Sequence, residues 1–169
     1  MTDAAVTELL AKQEITEALY KYCRAMDRMD NELGKSVFHA DAPADYGGMY
    51  RGTGHGFIEY VYGAHAGMKL HQHQLGNILI TLAGDRAASE SYVTVSFRRQ
   101  DEAGATVGMR SCGRYLDRWE RRGGHWAISD RLYLHLFDET HPVAESQFPS
   151  TGTRDRTDPS YGILGGVSV

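Results

Sequence analysis

Residues 73–100, HQLGNILITLAGDRAASESYVTVSFRRQ, contain two runs of alternating character around one turn signal. The runs His73–Leu82 and Arg86–Gln100 follow the period of two that is typical of β-strands. Between them, Ala83-Gly84-Asp85 is typical of a hairpin turn. The stretch therefore predicts a pair of long antiparallel strands, and the rest of the fold can be worked out from this pair.

The same period-two alternation of residue character continues toward the C-terminus. Ala105–Arg121 and His125–Phe137 read as two more long strands, and the turn signals before them are Glu102-Ala-Gly and Arg122-Gly-Gly. Three hairpins in succession predict an antiparallel meander of four strands.

The N-terminal part has the periodicity of a helix instead. Apolar residues recur at intervals of three and four over Ala4–Asp27, which predicts an amphipathic helix. Asp30 is placed to cap a second helix over Asn31–Phe38, Tyr46–Arg51 reads as a short strand, and Thr53 is placed to cap a third helix.

Helices followed by a long meander indicate an α+β fold in which the helices cover one face of the sheet. A strongly curved antiparallel sheet covered in this way forms a cone-shaped barrel with a pocket inside. We expect residues 1–137 to form this domain. Residues 138–169, which hold three of the four prolines, are expected to form an extended arm that packs against a sister subunit.

Composition narrows the class of protein. The chain has 169 residues, 41% hydrophobic and 24% charged, which suits one globular domain. No apolar run approaches the roughly 18 residues needed to cross a bilayer, so no membrane partner is expected. A net charge of -4 and a pI near 6.0 argue against a nucleic-acid partner.

The ends and the cysteines add two expectations. The start, MTDAAVTELLAKQE, lacks the basic and apolar segments of a secretory signal, so a cytoplasmic location is expected. Cys23 and Cys112 are too few and too far apart for a disulfide framework, and we expect both to be reduced, buried thiols.

Two histidines stand at the start of the first long strand, in KLHQHQLGN at residues 69–77. As metal ligands, His71 and His73 need a third partner such as His39, His65 or a carboxylate, so the pair alone is weak support for a metal site. Strand alternation places His71, His73, Leu75, Asn77 and Leu79 on one face. The sequence therefore predicts neither a metal nor a cofactor, and it places His71 at most at the mouth of a pocket.

Three segments carry a resemblance to a known family: ITEALYKYCRAMDRMD (residues 15–30), VFHADAPADYGGMYRGTGHGFIEYV (residues 37–61) and WERRGGHWAISDRLY (residues 119–133). Together they resemble SnoaL-like proteins of the nuclear transport factor 2-like superfamily. The resemblance covers the chain from about residue 8 to residue 137, and it implies the α+β cone.

Within that superfamily the chain is most similar to the lyases scytalone dehydratase, hexachlorocyclohexane dehydrochlorinase and bile acid 7α-dehydratase. The resemblance implies a catalytic base at His73 and an aspartate that orients it at Asp27. It also implies that Arg131 helps a leaving group to depart and that Tyr22 acts as an acid or hydrogen-bond donor. Phe97 and Ser96 stand where two of these enzymes carry further polar residues. The resemblance therefore does not imply that this chain shares the substrate of any of them.

Each of these residues has a plainer interpretation. Asp27 could cap the turn after the first helix or pair with Arg24 or Arg28, and His73 could be structural. Arg131 could form an ion pair with Asp117 across the hairpin, and Tyr22 could simply pack. These alternatives stay open at the level of sequence.

The leading hypothesis is a cofactor-independent, dehydratase-like lyase that uses an Asp-His dyad to abstract a proton from a small hydrophobic substrate, a polycyclic one included. An isomerase or cyclase with the same dyad is one alternative, and a non-catalytic protein that binds a small ligand is another. An assembly subunit with an obligate larger partner is a third. We expect a homo-oligomer, either a trimer or a dimer.

Overall fold

A computed structural model of the protein describes residues 2–68, 70–144 and 147–165. The secondary-structure elements follow in chain order: α1 (Asp3–Arg28), α2 (Asn31–Ser36), β1 (Pro43–Asp45), β2 (Arg51–Thr53), α3 (Gly54–His65), β3 (Leu70–Ala83), β4 (Arg86–Gln100), β5 (Thr106–Arg122), β6 (His125–Pro142) and α4 (Pro159–Gly165).

The first helix confirms the amphipathic pattern. The Thr2 side chain accepts a hydrogen bond from the Ala5 backbone N–H and begins α1. Met29 ends the helix in the left-handed conformation, with φ of 54°, and its N–H donates to the Ala25 carbonyl. One side of α1 is buried against the sheet: Ala11, Ile15, Ala18, Leu19, Tyr22, Cys23, Ala25 and Met26.

The caps of the two short helices are also confirmed, because Asp30 accepts from the Leu33 N–H and Thr53 accepts from the Gly56 N–H. The short strand predicted over Tyr46–Arg51 is wrong. That stretch is mainly the turn between β1 and β2, and Asp45 stabilises it by accepting the Gly47 N–H.

The predicted four-stranded meander is present as β3 to β6. The sheet has six strands in the order β2-β1-β6-β5-β4-β3 and is not closed. It is mixed rather than purely antiparallel, because β1 pairs with β6 in parallel. Helices followed by this sheet form the α+β cone that the sequence predicts.

A β-bulge in β3 corrects the predicted strand face. The register with β4 shifts between Gly76 and Leu79, and Asn77 at the bulge has φ of 47°. The extra residue reverses the alternation, so Ile78 and Ile80 are half-buried and pack against the core while Leu79 is 69% exposed. Asn77 and Leu79 therefore do not share the inward face of His73.

The C-terminal residues are more ordered than the predicted extended arm. Strand β6 continues past Phe137 to Pro142, and α4 forms a short helix. The segment folds back onto its own chain, where Arg24 donates to the Ser160 hydroxyl at 3.0 Å. Residues 145–146 and 166–169 of the predicted arm lie outside the described residues, and the division at residue 137 stays a prediction.

The core lies between the helices and the inner face of the sheet. Ile15, Leu19, Ile58 and Ile128 are fully buried there. Within the described ranges, no helix combines the length and apolar character needed to cross a membrane.

Candidate active site

A cavity of about 310 Å³ lies between α1, α3 and the inner face of the sheet. Most of its wall is apolar or aromatic, and four methionines contribute to it. The aromatic part of the wall consists of Tyr22, Tyr46, Phe57, Tyr60, Phe97, Tyr115 and Tyr133. His73 lines this cavity and also a more open groove along the outer side of α1.

Asp27 and His73 form a direct contact at the cavity wall. Nδ1 of His73 lies 2.8 Å from Oδ1 of Asp27, and both side chains are largely buried. The His73 backbone N–H also donates to the carboxylate, at 3.0 Å to Oδ1 and 3.1 Å to Oδ2. This arrangement fixes the position of the imidazole ring and leaves Nε2 as its remaining functional atom.

The geometry of two elements produces this contact. Asp27 lies in the last turn of α1, on the border of the buried side, and His73 lies four residues into β3. The two arginines that the sequence offers as alternative partners of Asp27 have other contacts. Arg28 pairs with Asp158 at 3.5 Å, and Arg24 binds Ser160.

Tyr22 lines the same cavity from the middle of α1. Its hydroxyl lies 2.9 Å from the hydroxyl of Tyr46, so the two phenols share one hydrogen bond. Burial, and then the proximity of Tyr46 and Tyr115, hold the pKa of Tyr22 well above its usual range. Tyr22 therefore presents a protonated phenol.

Arg131 lies behind the tyrosines rather than in the cavity wall. Its fully buried guanidinium donates to both carboxylate oxygens of Asp117, at 2.7 and 2.8 Å, so the alternative ion pair is present. Burial alone would lower the pKa of Arg131, but the charge of Asp117 raises it well above its usual value. The guanidinium stacks on the rings of Tyr22 and Tyr115, 4.3 and 4.1 Å from their centroids.

A weaker contact connects this ion pair to the cavity. Nη1 of Arg131 lies 3.5 Å from the Tyr46 hydroxyl, which in turn contacts Tyr22. Arg131 can therefore act on a bound molecule only through these phenols. The roles of Arg131, Tyr22, Asp27 and His73 in catalysis stay predictions.

The structure places His71 deeper than the pocket mouth that the sequence predicts. Its side chain is buried, lines the cavity, and lies edge-on against His65 with ring centroids 4.2 Å apart. Arg154, from the C-terminal segment, contacts the same ring. Sequence reasoning missed these contacts because helix α3, strand β3 and the C-terminal segment meet only in the folded chain.

In the described part of the chain, one group of side chains has metal-site spacing. Potential ligand atoms of Asp27, His71 and His73 lie within 4.8 Å of one another. Of the third partners that the sequence allows, the one near His71 and His73 is thus a carboxylate, that of Asp27, rather than His39 or His65. However, the contact between His73 and Asp27 has hydrogen-bond length, and a second cation beside the Arg154 guanidinium would be repelled. The arrangement therefore favours a hydrogen-bonded dyad.

Both cysteines are free, as expected. Cys23 is buried one turn before Asp27, and burial, with a contribution from the Asp27 charge, raises the pKa of its thiol to about 12. A thiol that holds its proton is a poor nucleophile, so the surroundings of Cys23 do not favour a nucleophilic role. Cys112 is only half-buried.

Comparisons with solved structures support the fold. A structure from Novosphingobium aromaticivorans named "Putative Scytalone Dehydratase" is 19% identical, with a TM-score of 0.71, and the match covers 84% of this chain and 95% of that one. Hexachlorocyclohexane dehydrochlorinase LinA-type3 from Novosphingobium barchaimii is 15% identical, with a TM-score of 0.72 and coverage of 86% and 99%.

A nuclear transport factor 2-like superfamily protein from Salmonella enterica is 22% identical to this chain, with a TM-score of 0.65, and the match covers 83% of this chain and 96% of that one. These identities establish a shared fold and leave the activity open. No protein with a curated description matches the sequence.

The family itself is shown by sequence. The model of the SnoaL-like domain matches residues 7–132, which run from α1 to β6 and include Tyr22, Asp27, His73 and Arg131. This match confirms the resemblance carried by the three quoted segments: the chain belongs to the SnoaL-like domain family, within the nuclear transport factor 2-like fold.

Proposed function

We propose that the protein is a cofactor-independent, dehydratase-like lyase in which His73, oriented by Asp27, removes a proton from a small hydrophobic substrate. The observation that carries the proposal is the 2.8 Å contact between His73 Nδ1 and Asp27 Oδ1 at the wall of a cavity. A carboxylate that accepts from Nδ1–H leaves a lone pair on Nε2 and stabilises the imidazolium after proton transfer.

A proton donor for the leaving group is available on the same cavity. The Tyr22 phenol is protonated, lines the cavity and is hydrogen-bonded to Tyr46. It can donate a proton to a departing hydroxyl group or a hydrogen bond to a developing enolate. The positive charge of Arg131, one layer behind, would favour negative charge at these phenols. We assign Arg131 a positioning role in this scheme.

The cavity supports a hydrophobic substrate. Its volume of about 310 Å³ suits a small or polycyclic molecule, and its aromatic and methionine wall favours apolar contact. The neighbours named as a dehydratase and a dehydrochlorinase are described by elimination reactions, and we extend that reaction class to this chain.

An isomerase or cyclase is a second candidate, because the same dyad can return the proton to another carbon of the substrate. A lyase releases water or halide from its substrate, whereas an isomerase or cyclase of this kind rearranges the substrate without releasing either. Non-catalytic binding of an apolar ligand is a third, supported by the largely apolar cavity wall.

The experiment uses the purified full chain with a panel of polycyclic hydroxyketones and halogenated alicyclic compounds, and it measures release of water or halide and any isomerisation. For a compound that is turned over, we expect His73→Ala and Asp27→Asn to lower kcat about 10²- to 10⁴-fold. The control is His125→Ala, an exposed histidine on β6.

Turnover should survive a metal chelator, which separates the dyad from a metal mechanism. If ligands bind but His73→Ala and Asp27→Asn leave every measured turnover unchanged, the dyad proposal is wrong. Binding without turnover of any compound would favour the non-catalytic alternative.

A further inference from the structure

Two histidines outside the proposed dyad form a polar corner in the apolar cavity. His65, the last residue of α3, and His71, at the start of β3, both line the cavity, and His71 is only 8% exposed. The ring of His71 lies 5.0 Å from that of His73, centroid to centroid. The corner is therefore adjacent to the proposed base.

Each of these rings has a buried nitrogen without a partner among the described residues: Nδ1 of His65 and Nε2 of His71. Leaving a buried polar atom without a hydrogen bond costs about 1–3 kcal/mol, and native structures seldom do so. Because both atoms belong to residues of the cavity wall, a polar group of a bound molecule is the natural partner for them.

The contact with Arg154 decides where the proton of His71 lies. Nη2 of Arg154 lies 3.4 Å from Nδ1 of His71, and a guanidinium can only donate. Nδ1 must therefore accept, which puts the ring proton on Nε2. Arg154 is itself held by the backbone carbonyl oxygens of His65 and Met68.

Both rings are neutral at ordinary pH. Burial, with smaller contributions from the neighbouring His73 and Arg154, lowers the pKa of His65 to about 4. Burial, with smaller contributions from the neighbouring His73, His65 and Arg154, also lowers the pKa of His71 to about 2. A neutral imidazole N–H donates to an uncharged oxygen without needing a counter-ion.

We propose that His71, with His65 beside it, forms a neutral subsite that binds a carbonyl or hydroxyl oxygen of an otherwise apolar ligand, with Nε2–H of His71 as the donor. The inference deepens the proposed function, since it places the bound oxygen only a few bonds from the C–H group that faces His73. The substrate class is then an apolar ketone or alcohol whose reacting C–H lies near that oxygen. The binding part of the inference does not depend on turnover.

The test compares two probes of matched shape, 2-acetylnaphthalene and 2-isopropylnaphthalene, of which only the first carries an oxygen. Their dissociation constants are measured for the full chain by fluorescence. We expect His71→Phe to weaken ketone binding about tenfold while hydrocarbon binding changes less than about twofold, since one hydrogen bond is lost. His71→Gln, whose amide can replace Nε2–H, should recover part of the preference, and the control His125→Phe should change neither constant.

A spectroscopic measurement on the wild-type chain does not depend on any variant folding. In ¹⁵N-histidine-labelled protein, we expect His71 to be the neutral Nε2–H tautomer at pH 7, and its Nε2 resonance to shift with the ketone and not with the hydrocarbon. Arg154→Met should give a mixture of tautomers. The subsite would be overturned by a Nδ1–H tautomer of His71 in the wild type. It would also be overturned if His71→Phe left the ratio of the ketone and hydrocarbon dissociation constants unchanged, or if the wild type did not bind the ketone up to its solubility.

The failure of this inference can be told apart from the failure of the proposed function. His73→Ala should keep the ketone preference even where it abolishes turnover. Conversely, turnover that is insensitive to His73→Ala would contradict the dyad while leaving the measured preference at His71 intact.

Discussion

The buried ion pair between Arg131 and Asp117 is a residue-scale feature with a large expected effect on stability. Both side chains are fully buried, so removing one partner leaves an uncompensated charge in the core. We expect Asp117→Ala to lower the free energy of unfolding by about 3–5 kcal/mol in urea denaturation.

Two comparisons test the cause of that loss. Asp130→Ala removes an exposed partner of Arg118, 4.0 Å away, and should cost less than about 1 kcal/mol. The double variant Asp117→Leu with Arg131→Met removes both charges and should be more stable than Asp117→Ala. A double variant that is less stable than the single one would contradict the explanation by unpaired charge.

His65 and His71 also make the stability of the fold depend on pH. Their pKa values fall from the usual 6.5 of a histidine to about 4 and about 2, largely through burial. Below about pH 6.5 the unfolded chain binds protons that the folded chain does not, so stability is present above that pH and is lost as the pH falls. Each histidine contributes a slope of at most about 1.4 kcal/mol per pH unit.

We expect urea unfolding between pH 7.5 and 5 to show this loss. His71→Gln, which cannot titrate, should flatten the slope. The exposed His125→Gln should not. Identical slopes for wild type and His71→Gln would show that His71 titrates normally in the folded chain.

At the scale of elements, the C-terminal segment is attached to the helical end of the site through Asp30. The Asp30 carboxylate caps α2 through Leu33 N–H, and it also accepts from Arg156 at 3.0 Å and from the Tyr161 hydroxyl at 2.8 Å. We expect Asp30→Ala to lower stability by about 1 kcal/mol and to speed hydrogen exchange across residues 147–165.

The matched control is Thr53→Ala, which removes the N-cap of α3 and has a similar expected cost in stability. Since Thr53 makes no such contact with the C-terminal segment in the described structure, exchange there should stay at the wild-type rate. Equal exchange in the two variants would mean that Asp30 does not hold the segment.

A comparison of predicted and observed bounds shows which elements could be predicted from the sequence. The bounds of α1 and of the four long strands lie close to their predicted positions, because periodicity and turn residues act over a few neighbouring residues. The turn at residues 46–50 and the bulge at Asn77 were missed. Both depend on register with other strands, which local patterning does not contain.

At the scale of the whole molecule, the outer face of the sheet carries an apolar row. Leu79, Leu116 and Leu132 lie on neighbouring strands in the same register, together with Glu90, and Leu79 and Leu132 are 69% and 40% exposed. Burial of such a row would stabilise a homo-oligomer, trimer or dimer, which we propose for this chain.

We expect Leu79→Lys combined with Leu132→Lys to shift the protein to a monomer in analytical ultracentrifugation, because lysine cannot be buried there without a partner. Leu9→Lys, a change at a 58% exposed position on α1, serves as the control. An assembly that is unaffected by the double variant would place the interface elsewhere.

The sequence by itself determined the first three helices, the four long strands, the family and, through that family, the two residues of the proposed dyad. The helices and long strands follow from local periodicity, whereas the resemblance to SnoaL-like proteins implied Asp27 and His73. The structure then brings these two side chains into contact. Whether either residue acts on a substrate stays a prediction, as does the cytoplasmic location.

Only the tertiary structure decided which polar groups meet. It placed Arg131 against Asp117 behind the cavity, and it buried His71 beneath Arg154, which is 83 residues away in the chain. The physical reason is that backbone conformation depends mainly on neighbouring residues. The burial, pairing and protonation of a side chain depend instead on distant segments that pack around it.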